Sequence, residues 1–137
     1  MSTLVTATVK SNSSSPPAFQ NSSGTEIGTL CRAWVNFNAS SGSPSIRAQF
    51  NVSSITDNGV GNYTVNFTNA LADANYVVTF GVGGGGSSLN ASFVGGVLTS
   101  TQYGVASNKT ASAVQFTTGD YTATLRDLGE IYVSLFR

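Results

Sequence analysis

The carboxylates are the side chains of this sequence that could act as a general acid or a nucleophile. The chain has no histidine and one cysteine, Cys31, which excludes the usual serine or cysteine triads and a zinc site built from histidine and cysteine. Two carboxylates could in principle cleave a glycoside, one as general acid and one as nucleophile. The candidates are Asp57, Asp73, Asp120, Asp127 and Glu130. Asp57 and Asp120 lie close to glycines, in turn positions where aspartate is common. We therefore predict that the protein is not an enzyme and holds no metal or cofactor.

Aromatic side chains are candidates for stacking on sugar rings or for filling a subunit interface. They are Trp34, Tyr63, Tyr76, Tyr103, Tyr121 and Tyr132. We expect most of them to belong to the core or its rim. We name Tyr103 and Tyr121 as the candidate ligand contacts.

The composition indicates one domain with a polar surface that carries few charges. The chain has 137 residues, of which 9% are charged, with six basic and six acidic side chains. The basic residues are scattered, so they form no patch that could follow phosphates, and we expect no nucleic-acid partner. No apolar run approaches the ~20 residues that cross a bilayer, and the N-terminus lacks the features of a signal peptide. We predict a protein made in a cytoplasm, without membrane insertion, with Cys31 as a small core residue.

Residues 1–30 form a polar segment of low complexity that we interpret as an extended N-terminal arm or linker. Its serine, proline and asparagine residues bury little surface. Within it, residues 4–9 alternate threonine with aliphatic side chains and could add a strand to a neighbouring sheet. A frayed terminus is the alternative. Leu4, Val5 and Val9 are the candidate residues for attachment to a larger assembly.

From Cys31 onward the sequence has the period of two that is typical of β-strands. Residues 63–68 alternate apolar and polar side chains, and residues 46–55 precede them across a turn at 56–61 that contains an Asn-Gly step. We predict that these two segments form an antiparallel hairpin. Further strands are expected at residues 32–37, 75–82, 89–98, 112–118, 121–125 and 131–136. This spacing predicts an all-β domain over residues 31–137, an antiparallel β-sandwich of jelly-roll-like type.

The last predicted strand is apolar on both faces. Ile131, Val133 and Leu135 share one face, while Tyr132 and Phe136 lie on the other. A strand that is apolar on both sides needs cover on both. The second cover is either another copy of the chain or the second sheet of a two-sheet core. We take all five residues as the candidate oligomer interface.

Five segments of the domain resemble a module of tailed-bacteriophage virion proteins, notably those of marine phages and cyanophages. They are CRAWVNFN at residues 31–38, IR at 46–47, NVSSITDNG at 51–59, GNYTVNF at 61–67 and ADANYV at 72–77. The resemblance covers residues 31–80. After residue 80 the chain is similar to these modules only in its amino-acid composition. It implies a β-rich, trimeric virion appendage with no chemistry of its own.

We therefore expect a structural protein of the virion surface, assembled in the host cytoplasm as a homotrimer. Its expected role is a tail fibre or head-surface appendage that contacts other virion proteins through Leu4, Val5 and Val9 and touches host-surface glycans. The alternative is a capsid decoration or cement protein that stabilises the head without host contact. We set aside a polysaccharide-cleaving tailspike, because such enzymes usually need a long solenoid for their glycan groove.

Overall fold

The protein is all-β in the computed structural model, which describes residues 6, 8–11, 17–83, 94–97, 108–119 and 124–137. Within these residues there are ten strands and no helix, and hence no helix that could cross a membrane. The strands are β1 (Phe19–Gln20), β2 (Glu26–Gly28), β3 (Cys31–Asn38), β4 (Ser45–Phe50), β5 (Val52–Asp57), β6 (Asn62–Phe67), β7 (Val77–Gly83), β8 (Val94–Val97), β9 (Ala113–Gly119) and β10 (Glu130–Phe136). All pairings between these strands are antiparallel. The predicted all-β antiparallel class is confirmed, whereas the jelly-roll-like arrangement stays a prediction.

The chain divides into two compact units, Met1–Leu30 and Cys31–Arg137. In the first unit, β1 and β2 form a two-stranded hairpin whose residues are all exposed. Asn21 fastens its turn, because Oδ1 accepts the backbone amides of Ser23 at 3.0 Å and Thr25 at 2.9 Å. The segment that we predicted as an extended arm therefore contains local β structure.

Two four-stranded sheets in the second unit share one hydrophobic core. The strand order is β4-β3-β10-β7 in the first sheet and β5-β6-β9-β8 in the second. Phe37 from β3, Tyr63 from β6 and Phe116 from β9 meet in this core, with ring centroids 5.4 to 6.3 Å apart. All three residues are fully buried, and tilted or edge-on ring contacts add to the free energy gained by burial.

The chain passes from the first sheet to the second at Asn51. The predicted single strand at residues 46–55 is in fact two strands, since β4 pairs with β3 and β5 pairs with β6. Asn51 has a φ of 54°, a left-handed conformation that asparagine tolerates better than most residues. Its Nδ2 donates to the carbonyls of Arg32 and Asn69, each at 3.1 Å, and its Oδ1 accepts the Asn69 amide at 2.8 Å. The predicted hairpin is therefore confirmed for β5 and β6 but not for β4.

Glycine is required in the turn between β5 and β6, at Gly61. This residue has a φ of 62°, and a Cβ atom there would lie 2.4 Å from the carbonyl oxygen of Thr118 and 2.7 Å from the amide nitrogen of Arg126. The Thr118 amide also donates to the Gly61 carbonyl at 2.8 Å. The turn thus fits directly against the end of β9.

The other predicted strands are found near their expected positions as far as the described residues extend. Strands β3, β7, β9 and β10 correspond to the predictions at 32–37, 75–82, 112–118 and 131–136. Of the prediction at 89–98, only β8 lies within the described residues. Of the prediction at 121–125, only its end is described, where Leu125 forms an isolated bridge to Gly119.

Candidate binding face

Five large apolar side chains are exposed on the outer face of the first sheet, the side that points away from the core. They are Trp34 on β3 (38% exposed), Phe50 on β4 (55%), Val77 on β7 (63%), and Tyr132 (39%) and Phe136 (36%) on β10. We call this surface the aromatic face. Apolar residues that adjoin one another on the surface of a soluble domain are typical of interaction sites.

The register of the strands brings these side chains together. Trp34 pairs with Phe50 on one side and with Ser134 on the other, and Phe136 pairs with Val77. Side chains that are directly paired on one face of an antiparallel sheet lie about 5 Å apart. Two apolar pairs, Trp34–Phe50 and Phe136–Val77, therefore occupy the face, and Ser134 on β10 lies beside Trp34.

Tyr132 is held in place by its neighbours on the same face. A Cβ atom at Gly81, its partner on β7, would lie 3.2 Å from Cδ2 of the tyrosine ring, so the ring covers the space that a side chain at Gly81 would take. The Tyr132 hydroxyl donates to Oε2 of Glu130 at 2.5 Å, and this hydrogen bond to a carboxylate raises the pKa of Tyr132. The ring is therefore fixed without being buried.

Polar and charged side chains border the Tyr132 end of the aromatic face. Nη1 of Arg47 lies 3.7 Å from Oε1 of Glu130 and donates to Oδ1 of Asn36 at 3.5 Å. We call Asn36, Arg47 and Glu130 the polar cluster. The side chains of Arg47 and Glu130 are 41% and 45% exposed, so the pair is solvated and its opposite charges cancel.

A second ion pair follows the Phe136 end of β10. Arg137 donates to Asp73 through Nε, at 2.9 Å from Oδ1, and through Nη2, at 2.5 Å from Oδ2. This bidentate contact lowers the pKa of the Asp73 carboxyl group. It ties the last residue of the chain to the segment that precedes β7.

The outer face of the second sheet has a different chemistry. On β5, β6 and β9 it carries hydroxyl and amide side chains that bond to one another. Asn66 on β6 donates to Ser54 at 3.0 Å and to Thr56 at 2.9 Å, both on β5. Gln115 on β9 donates to Asn62 on β6 at 2.8 Å. We call this surface the polar face, and its side chains offer matched positions for control substitutions.

The predicted oligomer-interface residues divide between the core and the surface. Ile131, Val133 and Leu135 are at most 1% exposed, because the second sheet covers their side of β10. The second sheet covers one side of β10, and the question of a second copy stays open for the other side, where Tyr132 and Phe136 are exposed. These three residues therefore offer no surface to a second copy, and only Tyr132 and Phe136 remain exposed from the predicted set.

Two of the candidate aromatic residues are core residues. The Tyr63 hydroxyl donates to Asp127, and the Tyr76 hydroxyl donates to the carbonyls of Thr110 at 3.1 Å and Ala113 at 2.9 Å. Burial raises the pKa of Tyr63 above its usual range and that of Tyr76 to about 12. Neither ring is available for a ligand, since each is at most 1% exposed.

Several of the predicted site residues lie outside the described residues. They are Leu4, Val5, Tyr103, Tyr121 and Asp120. Of the predicted attachment residues, Val9 is described, and it is 62% exposed.

The described carboxylates from the candidate catalytic set take part in structural contacts. Asp57 accepts the Gly59 amide within its turn at 2.8 Å, and Asp127 accepts the Gly61 amide at 2.7 Å. Asp73 and Glu130 hold the contacts given above. Within the described part of the chain, no three potential ligand side chains lie together in a way that could hold a metal ion.

The alternation of buried and exposed residues along β3 and β10 is a sequence signal for the aromatic face. In β3, Ala33, Val35 and Phe37 point into the core, so Trp34 lies on the opposite, outward side of the strand. Tyr132 falls on the same phase of β10, between Ile131 and Val133. An aromatic residue on the outward phase of an alternating strand indicates a surface position, but only the pairing of β3 with β10 shows that the two residues share one face.

The chain was compared with protein-family models, curated proteins and solved structures, and nothing matches it.

Proposed function

We propose that this chain is a structural protein of a phage virion surface, a tail-fibre or head-surface appendage that acts by binding and not by catalysis. The observation that supports the proposal is the aromatic face, in which Trp34, Phe50 and Tyr132 are exposed on a hydrogen-bonded sheet. Covering such side chains with a partner removes apolar surface from water and is favourable. The resemblance of residues 31–80 to virion modules supports the proposed location on a phage virion.

The segments that carry the resemblance supply strands to both sheets of the second unit. They include β3 of the first sheet and β5 and β6 of the second. In the proposal these sheets form a jelly-roll-like sandwich, which is the rigid body of the appendage. Residues 1–30 attach that body to other virion proteins, with Val9 among the contacts.

A homotrimer is part of the proposal. The Phe136–Val77 pair is the subunit contact that we favour, because it is purely apolar and Val77 is the most exposed side chain of the aromatic face. Light scattering on the purified chain should give three times its mass of 14.1 kDa. The mass of a single chain would remove the trimer from the proposal and leave the virion location to its own test.

Purified phage particles provide the test of the virion location. Particles produced from the genome that encodes the chain should contain it after density purification and nuclease treatment, as detected by mass spectrometry. Labelling of the same particles with an antibody against residues 31–137 should mark the tail or the head surface. Absence of the chain from such particles would refute the proposal.

A capsid decoration protein is the second candidate. It is favoured by the high exposure of Phe50 and Val77, since a neighbouring virion protein that covered them would gain apolar burial without any host contact. In that case the aromatic face is covered in the intact particle. In the leading proposal, the part of the face formed by Trp34, Phe50 and Tyr132, which we call the Trp34 side, stays open to solvent.

A further inference from the structure

We infer that the Trp34 side of the aromatic face is a binding site for a neutral polysaccharide. This inference rests on the proposed function and names the ligand class of that surface. Trp34, Phe50 and Tyr132 supply the apolar contact, and the polar cluster of Asn36, Arg47 and Glu130 supplies hydrogen bonds.

The side chains around Trp34 alternate between rings and hydrogen-bonding groups. Trp34 lies between Phe50 and Ser134 across the sheet, and in the next row Tyr132 pairs with Asn36. A sugar presents an apolar face of C–H groups together with a rim of hydroxyl groups, so it needs both kinds of contact. The amide of Asn36 and the hydroxyl of Ser134 can each donate and accept a hydrogen bond.

The charges of the polar cluster favour an uncharged ligand. Arg47 and Glu130 lie within ion-pair distance of each other, so the Tyr132 end of the face has no net charge from this pair. Arg32 also lies on the outward side of β3, two residues before Trp34, so this end of the site carries one cation. A sulfated or carboxylated polymer would need several unpaired cations beside the rings.

The open shape of the sheet face suits a polymer. An extended chain of sugars can lie along such a surface, whereas a compact small molecule is usually bound in a concave site.

The chain contains one tryptophan, which makes the site directly observable. Trp34 is the only tryptophan of the sequence, so its emission and its accessibility to a soluble quencher report on this face alone. The probes are neutral polysaccharides, namely dextran, a soluble β-glucan and a mannan, with polygalacturonate as the acidic comparison. We expect at least one neutral probe to give a saturable change in emission and to protect Trp34 from quenching, while polygalacturonate does neither.

Substitutions on the two outer faces test the placement of the site. Tyr132→Ala should weaken binding of the neutral probe by about tenfold or more, as expected for an exposed aromatic contact. Gln115→Ala on the polar face should bind like the unchanged protein. For Trp34→Ala, retardation in a gel that contains the probe replaces fluorescence and should be lost. Thermal unfolding of each variant shows that a loss of binding is not a loss of folding.

Three results would overturn the inference. The first is that no neutral probe changes the emission or the quenching of Trp34. The second is that Tyr132→Ala and Trp34→Ala bind the probe as tightly as the unchanged protein. The third is a solution mass of Tyr132→Ala below that of the unchanged protein, which would make this side a contact between copies. Detection of the chain in particles is a separate measurement. Failure of sugar binding with the chain present in particles would reject this inference alone, whereas absence from particles would reject the proposed function.

Discussion

Replacing Tyr63 by phenylalanine removes a hydrogen bond to the carboxylate of Asp127. The Tyr63 hydroxyl and the Gly61 amide both donate to the same oxygen, Oδ1. The ring itself packs against Phe37 and Phe116 at centroid distances of 5.4 and 6.0 Å, and phenylalanine preserves those contacts. A hydrogen bond to a charged group is worth about 1.5–3 kcal/mol, so the free energy of unfolding near neutral pH should fall by that amount.

The same substitution should change how stability depends on alkaline pH. In the folded protein the pKa of Tyr63 is raised above its usual value of 10, and that of Tyr76 is raised to about 12. Above pH 10 the unfolded chain loses these protons while the folded chain keeps them, so stability falls as the pH rises. Each such tyrosine contributes a slope of about 1.4 kcal/mol per pH unit within its window. Tyr63→Phe should therefore remove its own share of the loss between pH 10 and 12, about 1.4 kcal/mol per pH unit.

Urea unfolding followed by Trp34 fluorescence at several pH values measures both effects. Tyr76→Phe is the matched control, because it should remove the Tyr76 contribution to the alkaline slope and leave the Tyr63 contribution in place. The reasoning fails if Tyr63→Phe is as stable as the unchanged protein near neutral pH. It also fails if the variant keeps the full alkaline slope.

Three further predictions, made with substitutions and one truncation, test the fold. Gly61→Ala should lower the free energy of unfolding in urea by about 4 kcal/mol or more, because its Cβ would collide with the Thr118 carbonyl oxygen. Gly59→Ala is the control, since a Cβ there meets open space. It should cost only about 1–2 kcal/mol for the positive φ. Asn51→Gly and Asn51→Ala both lose the side-chain hydrogen bonds of Asn51, but only alanine is strained at the positive φ. Asn51→Ala should therefore be less stable than Asn51→Gly by about 1 kcal/mol. A chain that begins at Thr29 should keep its thermal transition, and loss of that transition would show that residues 1–30 are integral to the core.

Strand positions were predictable from the sequence because burial on one side of a sheet imposes a period of two. The prediction at 63–68 corresponds to β6, Asn62–Phe67, in which Tyr63, Val65 and Phe67 are buried. Sheet membership was not predictable in the same way. The period continues through β4 and β5, and a single residue, Asn51, sends them into different sheets through contacts with Arg32 and Asn69, 19 and 18 residues away.

The candidate site was predictable only in part. The sequence indicated that β10 is apolar on both faces, but its residue types do not say which face the second sheet covers. Tyr132 and Phe136 form part of a surface only because β10 lies between β3 and β7. That order depends on pairings between residues about 100 positions apart, such as Trp34 with Ser134, and no local pattern encodes it.

Hydroxyl-radical footprinting of Trp34 tests most directly the claim that the protein acts through its aromatic face on a virion surface. Oxidation of Trp34 is measured by mass spectrometry in the purified chain, in intact particles, and in particles incubated with the neutral polysaccharide that binds the purified chain. The account predicts that the chain is present in particles, that Trp34 is oxidised there as readily as in the free chain, and that the polysaccharide protects it. Protection of Trp34 in particles without polysaccharide would contradict the account and favour a decoration protein, and absence of the chain from the particles would contradict both.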